Sequence, residues 1–204
     1  LIGKIIDLNL FKNIYIQPNC GDAGGALGSA LYYSNVKLDK FENKKFSNVY
    51  LGSKYSEEEV ENGLKNFQLD KLGYKYTKYE NFNEICEIAS EFINKYKVIA
   101  WFQDESEWGP RALGNRSFLA DPREKEIKNV INKKIKLRDE FRPFAPSVLS
   151  EFKNEYFVVK DEFDYHHMTA VIKAKEITKN NAPGIVHQDG TSRIQSVSDE
   201  LNSK

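Results

Sequence analysis

The chain has 204 residues, 40% of them hydrophobic, and 30 Lys and Arg against 30 Asp and Glu, so its formal net charge is zero. That length fits one domain, or one domain plus a piece of another, and the apolar content excludes general disorder. The neutral balance argues against holding nucleic acid by bulk electrostatics and leaves room only for a local basic groove. Two cysteines, Cys20 and Cys86, exclude a disulfide framework and fit a reducing compartment; both are expected to be lone buried thiols. No apolar run reaches the roughly 18 residues of a membrane span, and no signal peptide opens the chain. Met168 is the single methionine, so the sequence lacks an initiator and reads as an excised or incomplete piece.

In chain order, Ile14-Tyr15-Ile16 is β-branched and aromatic and predicts a buried strand. A glycine turn follows at Cys20-Gly21-Asp22-Ala23-Gly24, leading into a helix of small residues that runs to Leu31. Such a helix start can present free N–H groups to an anion, or its small residues can serve close packing alone. Residues 37–80 are rich in Lys, Glu, Asn and Tyr and predict a connector with one helix at Ser56–Phe67, capped by Ser56. From Asn83 to Tyr96, Ile85, Ile88, Ala89, Phe92 and Ile93 recur at helical spacing, and Val98–Phe102 is a continuous apolar strand. A helix is predicted at Glu124–Lys134 with Ile127, Val130 and Ile131 inward, and strands at Ser147–Leu149, Thr169–Ala174 and Ile185–His187. The expectation is an α/β or α+β domain with a mixed sheet.

Three clusters carry chemistry. Glu107-Trp108-Gly109-Pro110-Arg111-Ala112-Leu113-Gly114-Asn115-Arg116-Ser117 follows a strand and supplies many donors, which suits a phosphate or carboxylate. Alternatively, one of its arginines pairs with Glu107 to brace the turn. In Lys133–Pro146, basic residues alternate with apolar ones, and Arg142 between Phe141 and Phe144 reads as a cation held between two buried rings. A solvated basic edge or a single-stranded nucleic acid groove are the other readings of that stretch. The third cluster is His187-Gln188-Asp189-Gly190-Thr191-Ser192-Arg193, a tight turn with one more oxyanion ligand. A Ser117–His187–Asp189 hydrolase triad lacks a nucleophile elbow and is set aside. His166 and His167, adjacent on an expected strand, point to opposite faces and make a poor metal pair.

Taken together, these motifs resemble the O-carbamoyltransferases of nodulation-factor and antibiotic biosynthesis. The residues that carry the resemblance are Gly109–Ser117, Ala120-Asp121-Pro122-Arg123, Lys136 with Arg138, Phe141–Ser147, His187–Arg193, and the opening Gln17-Pro18 with Gly21–Gly28. The resemblance implies an actin/Hsp70-like acceptor domain, of which residues 1–36 are the last strand and helix, and a linker at 37–80. Residues 81–204 are then most of a YrdC-like domain, a twisted mixed sheet with flanking helices that makes carbamoyl-adenylate. It implies carbamoyl phosphate, ATP with Mg2+ and a hydroxyl-bearing small molecule or sugar as ligands. It also implies a divalent metal such as Fe2+ in the acceptor domain, with Asp22 as one ligand and the others outside this chain. Arg111, Asn115, Ser117, Lys136, Arg142 and Arg193 become the substrate and nucleotide ligands, with Lys136 and Arg142 catalytic. A cytoplasmic enzyme, with a homodimer as one assembly and no nucleic acid or membrane partner, is the expectation. The sequence departs from the family at Asp104-Glu105-Ser106-Glu107, where two negative charges replace a usual Gly-Arg, and at Tyr165-His166-His167-Met168. The rivals are a tRNA-modification or RNA-binding YrdC-like module, and an inactive truncated remnant.

Overall fold

The computed structural model describes residues 1–40, 48–95 and 98–202, with the side chain of Asp70 left aside; Tyr96, the expected end of one helix, lies outside them. Helices come first. Helix α1 (Ile2–Leu8) and α2 (Gly24–Tyr32) are followed by α3 (Glu57–Asn66) and α4 (Phe82–Asn94). The chain then gives β1 (Ile99–Phe102), β2 (Arg116–Leu119), α5 (Ile127–Val130), β3 (Ser147–Leu149) and α6 (Lys153–Tyr156). It closes with β4 (Ile172–Lys173), α7 (Glu176–Asn181), β5 (Thr191–Ser192) and β6 (Gln195–Val197). Helices and short strands interleave in an α/β arrangement. Both kinds of pairing occur among the described residues, in three two-stranded sheets rather than one: β1 with β2 and β4 with β5 antiparallel, β3 with β6 parallel.

Local signals explain the helices that formed where expected. Ser56 and Glu59 make a reciprocal capping box at the start of α3: the Glu59 N–H donates to Ser56 Oγ at 3.2 Å, and the Ser56 N–H donates to Glu59 Oε2 at 2.8 Å. Asn81 caps α4 by accepting from the Asn83 N–H at 2.9 Å. The helix expected from Glu124 begins later, at Ile127, because the Asp121-Pro122-Arg123 turn precedes it. It then widens into a π turn over Ile131–Ile135, with Ile127 and Ile131 buried and Val130 partly exposed.

Four expectations fail for identifiable reasons. Ile14-Tyr15-Ile16 finds no strand partner among the described residues; Ile14 and Ile16 rest on the core by side chain alone, and Tyr15 is exposed. Thr169–Ala174 is reduced to β4, since Met168 before it sits at a left-handed φ of 53°. Pro183 and Gly184 bend the Ile185–His187 segment into a 3-10 turn. Cys20 and Cys86 are both exposed, not buried.

The main core gathers Phe157, Phe163, Tyr165, Ala170, Ile172, Ile185 and the fully enclosed Ile194, with Ile6 of α1 inserted among them. Each of the large apolar side chains among them contributes about 1.5–3 kcal/mol of burial. Residues from the first sixteen therefore share a core with residues past 157. A smaller cluster, Val49, Leu113 and Met168, pins residue 49 of the basic and acidic connector under the loop between β1 and β2. That loop carries the first chemical motif.

Candidate functional site

The β1–β2 hairpin ends in a wide loop whose neck is closed by the Gln103 N–H donating to the Asn115 carbonyl at 3.0 Å. Inside the loop, Glu107 does what no arginine does. Its Oε1 accepts from the N–H groups of Leu113 at 2.7 Å, Asn115 at 2.9 Å and Arg116 at 3.3 Å. Gly109 and Gly114 take φ of 124° and 116°, conformations that side chains resist, so the chain can wrap round one carboxylate. Arg116 is also structural: its guanidinium lies 3.4 Å over the Phe102 ring and donates to the carbonyls of Gln103, Asp104 and Ser53. The brace expected from an arginine–Glu107 pair is thus a carboxylate on backbone amides.

Of the donors predicted in this loop, the structure leaves one outward. Arg111 stands exposed at the tip, without a hydrogen bond or ion pair to the described residues. Asn115 is 1% exposed, and its amide is spent inside, donating to the Glu105 carbonyl at 2.7 Å and accepting from Asn202 at 2.9 Å. Ser117 Oγ accepts from the Gly114 N–H at 3.0 Å. The two acids that depart from the family pattern share Lys54, which sits 3.5 Å from Asp104 and 3.4 Å from Glu105.

The second motif is organised by a residue the sequence reading passed over. Asn132, fully buried, donates to the Glu140 and Arg142 carbonyls at 3.3 and 2.9 Å and accepts from Arg138 Nε at 2.8 Å. Leu137 adopts a left-handed φ of 46°, a strained state that splays its neighbours. Lys136 then lies 5.2 Å over Phe118, and Arg138 lies 5.0 Å over Phe144. Arg142 is not clamped between buried rings: Phe141 is 73% exposed, and Arg142 Nε reaches Asp139 at 3.7 Å. The cation gripped by an aromatic ring and a buried amide is Arg138.

In the third motif, Gly190 at φ 75° closes a turn in which the His187 N–H donates to the Thr191 carbonyl at 2.7 Å. Asp189 Oδ1 accepts from the Thr191 hydroxyl at 2.6 Å and its N–H at 3.1 Å, and these bonds hold its carboxyl below the usual range. His187 Nδ1 lies 3.0 Å from Thr191 Oγ1, while no hydrogen bond links His187 to Ser117 among the described residues. His187 forms a wall of a cleft of about 390 Å3 with Lys128, Phe141, Pro143, Phe144 and Val186. Arg193, half-buried, has its Nε closed from solvent without a described partner. Burial first, then the charges of Arg111 and Arg138, push its pKa below the ordinary value; burial and Arg142 do the same to Arg138. The fold therefore brings Arg111, Arg193, Arg138 and Arg142 into one electrostatic field. No contact among the described residues joins Lys136 to them; it lies over Phe118.

Other predicted chemistry lies elsewhere. Asp121, 2% exposed, takes the Arg123 Nε on both oxygens at 2.9 and 2.8 Å, and that bond above all holds its carboxyl below the usual range. A depressed carboxyl stabilises the fold above its unfolded pKa of about 3.9, and the contribution disappears as pH falls through the folded value. Asp121→Asn should therefore lower the melting temperature at pH 7 and cost progressively less below pH ~4; parallel acid limbs in both proteins would exclude this role. His166 and His167 do not face opposite ways. They lie in a turn, both 3.9 Å from Asp164, and His166 Nδ1 is 2.7 Å from the Ser196 carbonyl. Asp22 stands exposed just before α2, and no group of three His, Cys, Asp or Glu able to hold a metal occurs among the described residues. No helix of the described residues is long and apolar enough to cross a membrane.

The chain is 39% identical over 204 residues to the nodulation protein NolNO of Sinorhizobium fredii, covering 99% of this chain and 29% of the relative. It is 38% identical over 204 residues to the nodulation protein NolO of Bradyrhizobium diazoefficiens, covering 99% of this chain and 36% of that protein. It is 27% identical over 200 residues to the 3'-hydroxymethylcephem-O-carbamoyltransferase of Streptomyces clavuligerus, with 96% and 34% coverage. The chain thus spans about a third of the length of the curated relatives it matches. A family model described as the carbamoyltransferase C-terminus matches residues 90–204, the part that holds all three motifs, and the chain belongs to that family.

Proposed function

We propose that the arginine field binds the phosphate groups of carbamoyl phosphate and ATP, and that the chain takes part in ATP-dependent carbamoyl transfer to a hydroxyl. The observation that carries the reading is Arg193: a half-buried guanidinium whose closed Nε has no partner among the described residues, pressed by two further arginines. Uncompensated cations repel one another by several kcal/mol when partly desolvated, and bound oxyanions relieve that cost. Arg111, Arg138 and Arg193 would grip phosphate oxygens bidentately. Lys136 and Arg142, nearer solvent, would neutralise charge that develops as the α-phosphate of ATP is attacked. Carbamoyl phosphate, ATP and one water then give carbamoyl-adenylate, pyrophosphate and phosphate; attack by the acceptor hydroxyl on the carbonyl carbon releases AMP. Asn115 and Ser117 shape the loop rather than touch ligand.

In this reading, residues 1–36 are the end of an actin/Hsp70-like acceptor domain, 37–80 the linker and 81–204 a YrdC-like domain. Asp22 alone does not make a metal site, so the acceptor metal's other ligands come from outside this chain and no step is derived through it. The test is a thermal-shift titration. ATP with carbamoyl phosphate should raise the melting temperature of the chain by several degrees, and Arg111→Ala should remove most of that gain. No shift in the wild type, or a larger one with tRNA that fades steeply with salt, would replace this reading with an RNA-binding one.

A further inference from the structure

Three observations at His187 converge on a role that the arginines cannot fill. The Thr191 hydroxyl has one hydrogen, and the Asp189 carboxylate takes it at 2.6 Å. Thr191 Oγ1 can therefore only accept from His187, so the ring carries its proton on Nδ1, 3.0 Å away. Nε2 is left as a bare lone pair, closed to water, without a hydrogen-bond partner among the described residues. Burial foremost, with Arg193 and Lys128 assisting and Asp189 opposing, keeps the imidazole in its neutral form. The ring is part of the cleft wall beside Lys128 and Phe144. An acceptor in a field of cations is the wrong group for phosphate oxygens. It is the right group for an N–H donor.

We propose that His187 is the specificity-determining residue that accepts a hydrogen bond from the carbamoyl NH2 while the arginines hold the phosphate of the same molecule. The inference rests on the anion-binding reading above and deepens it by naming how the donor is told from other acyl phosphates. Because Nε2 is closed to solvent in the unliganded chain, seating the amide requires the cleft wall round the ring to open. Once there, the amide meets an acceptor for which water does not compete, and a ligand lacking the N–H leaves that acceptor buried and unpaired.

Acetyl phosphate is the probe, since it replaces the NH2 with a methyl group of similar size and keeps the phosphate. Calorimetric titration of the wild-type chain should show carbamoyl phosphate binding roughly tenfold tighter than acetyl phosphate. His187→Leu should bring the two affinities within about twofold by weakening carbamoyl phosphate alone, and Thr191→Val, which frees the tautomer, should lower the ratio in part. Because both ligands need the same arginines, damage to the fold weakens both and leaves their ratio unchanged. Equal wild-type affinities, or a ratio that survives His187→Leu while Arg111→Ala still abolishes both, would overturn the His187 role and spare the arginine site. Failure of the wild type to bind either phosphate would overturn both.

Discussion

Glu107→Ala should destabilise the chain by about 2–4 kcal/mol, the largest loss expected from one surface-accessible side chain, and should loosen the whole Gly109–Ser117 loop. The carboxylate Oε1 collects three backbone N–H groups of Leu113, Asn115 and Arg116 within 3.3 Å. A charged acceptor makes such bonds about twice as strong as a neutral one, and its removal orphans three half-buried donors together. Water can reach part of the loop, which keeps the total below the sum of three bonds. Glu107→Gln retains an acceptor oxygen and should cost about 1 kcal/mol. For a chain of this size the alanine variant should melt roughly 5–15 °C lower. The loss should also reach function, because Leu113, whose carbonyl accepts from Tyr50 and Gln195 at 2.9 Å each, ties the loop to the rest of the site. A Glu107→Ala protein as stable as the wild type would show that Arg116 alone supports the loop.

What could be read from the chain beforehand follows the range of each interaction. The α3 capping box spans four residues, Ser56 to Glu59, and α4 shows its spacing within four turns, so both were visible locally. The segment at Ile14 has the composition of a strand, yet strand formation depends on a partner elsewhere, and none is supplied among the described residues. The three motifs were visible because turns and arginines cluster in sequence. Their internal division of labour was not. Glu107 reads in sequence as the partner of an arginine that braces the turn, whereas its carboxylate takes three backbone amides. Arg138 and Arg142 look alike in sequence; only the buried Asn132, with one oxygen on Arg138 and its amide on the Arg142 carbonyl, distinguishes gripped from solvated. His187 was in view as part of a motif, but its partner is Thr191 rather than Ser117, a choice made by the Gly190 turn.

Arg193→Leu should separate stability from function, lowering affinity for ATP or carbamoyl phosphate by 10- to 100-fold while leaving the unliganded chain as stable as before or more so. The binding loss is that of one charge-assisted contact, about 1.5–3 kcal/mol. The stability effect has the opposite sign because the guanidinium is a burden without ligand. Its Nε is buried without a described partner, and Arg111 and Arg138 press on its charge. A leucine carries no polar atom that burial would leave unsatisfied. Arg193→Lys should keep the charge and still lose most of the affinity, since an ammonium cannot match two phosphate oxygens with a planar fork. High salt should weaken ligand binding in the wild type more than in Arg193→Leu, because the removed cation carried part of the screened attraction. Denaturant unfolding of the three proteins, with and without ATP, gives both numbers in one series. An Arg193→Leu chain that loses stability unliganded yet keeps its nucleotide affinity would make the arginines a structural cluster, and the function assigned to them would fall.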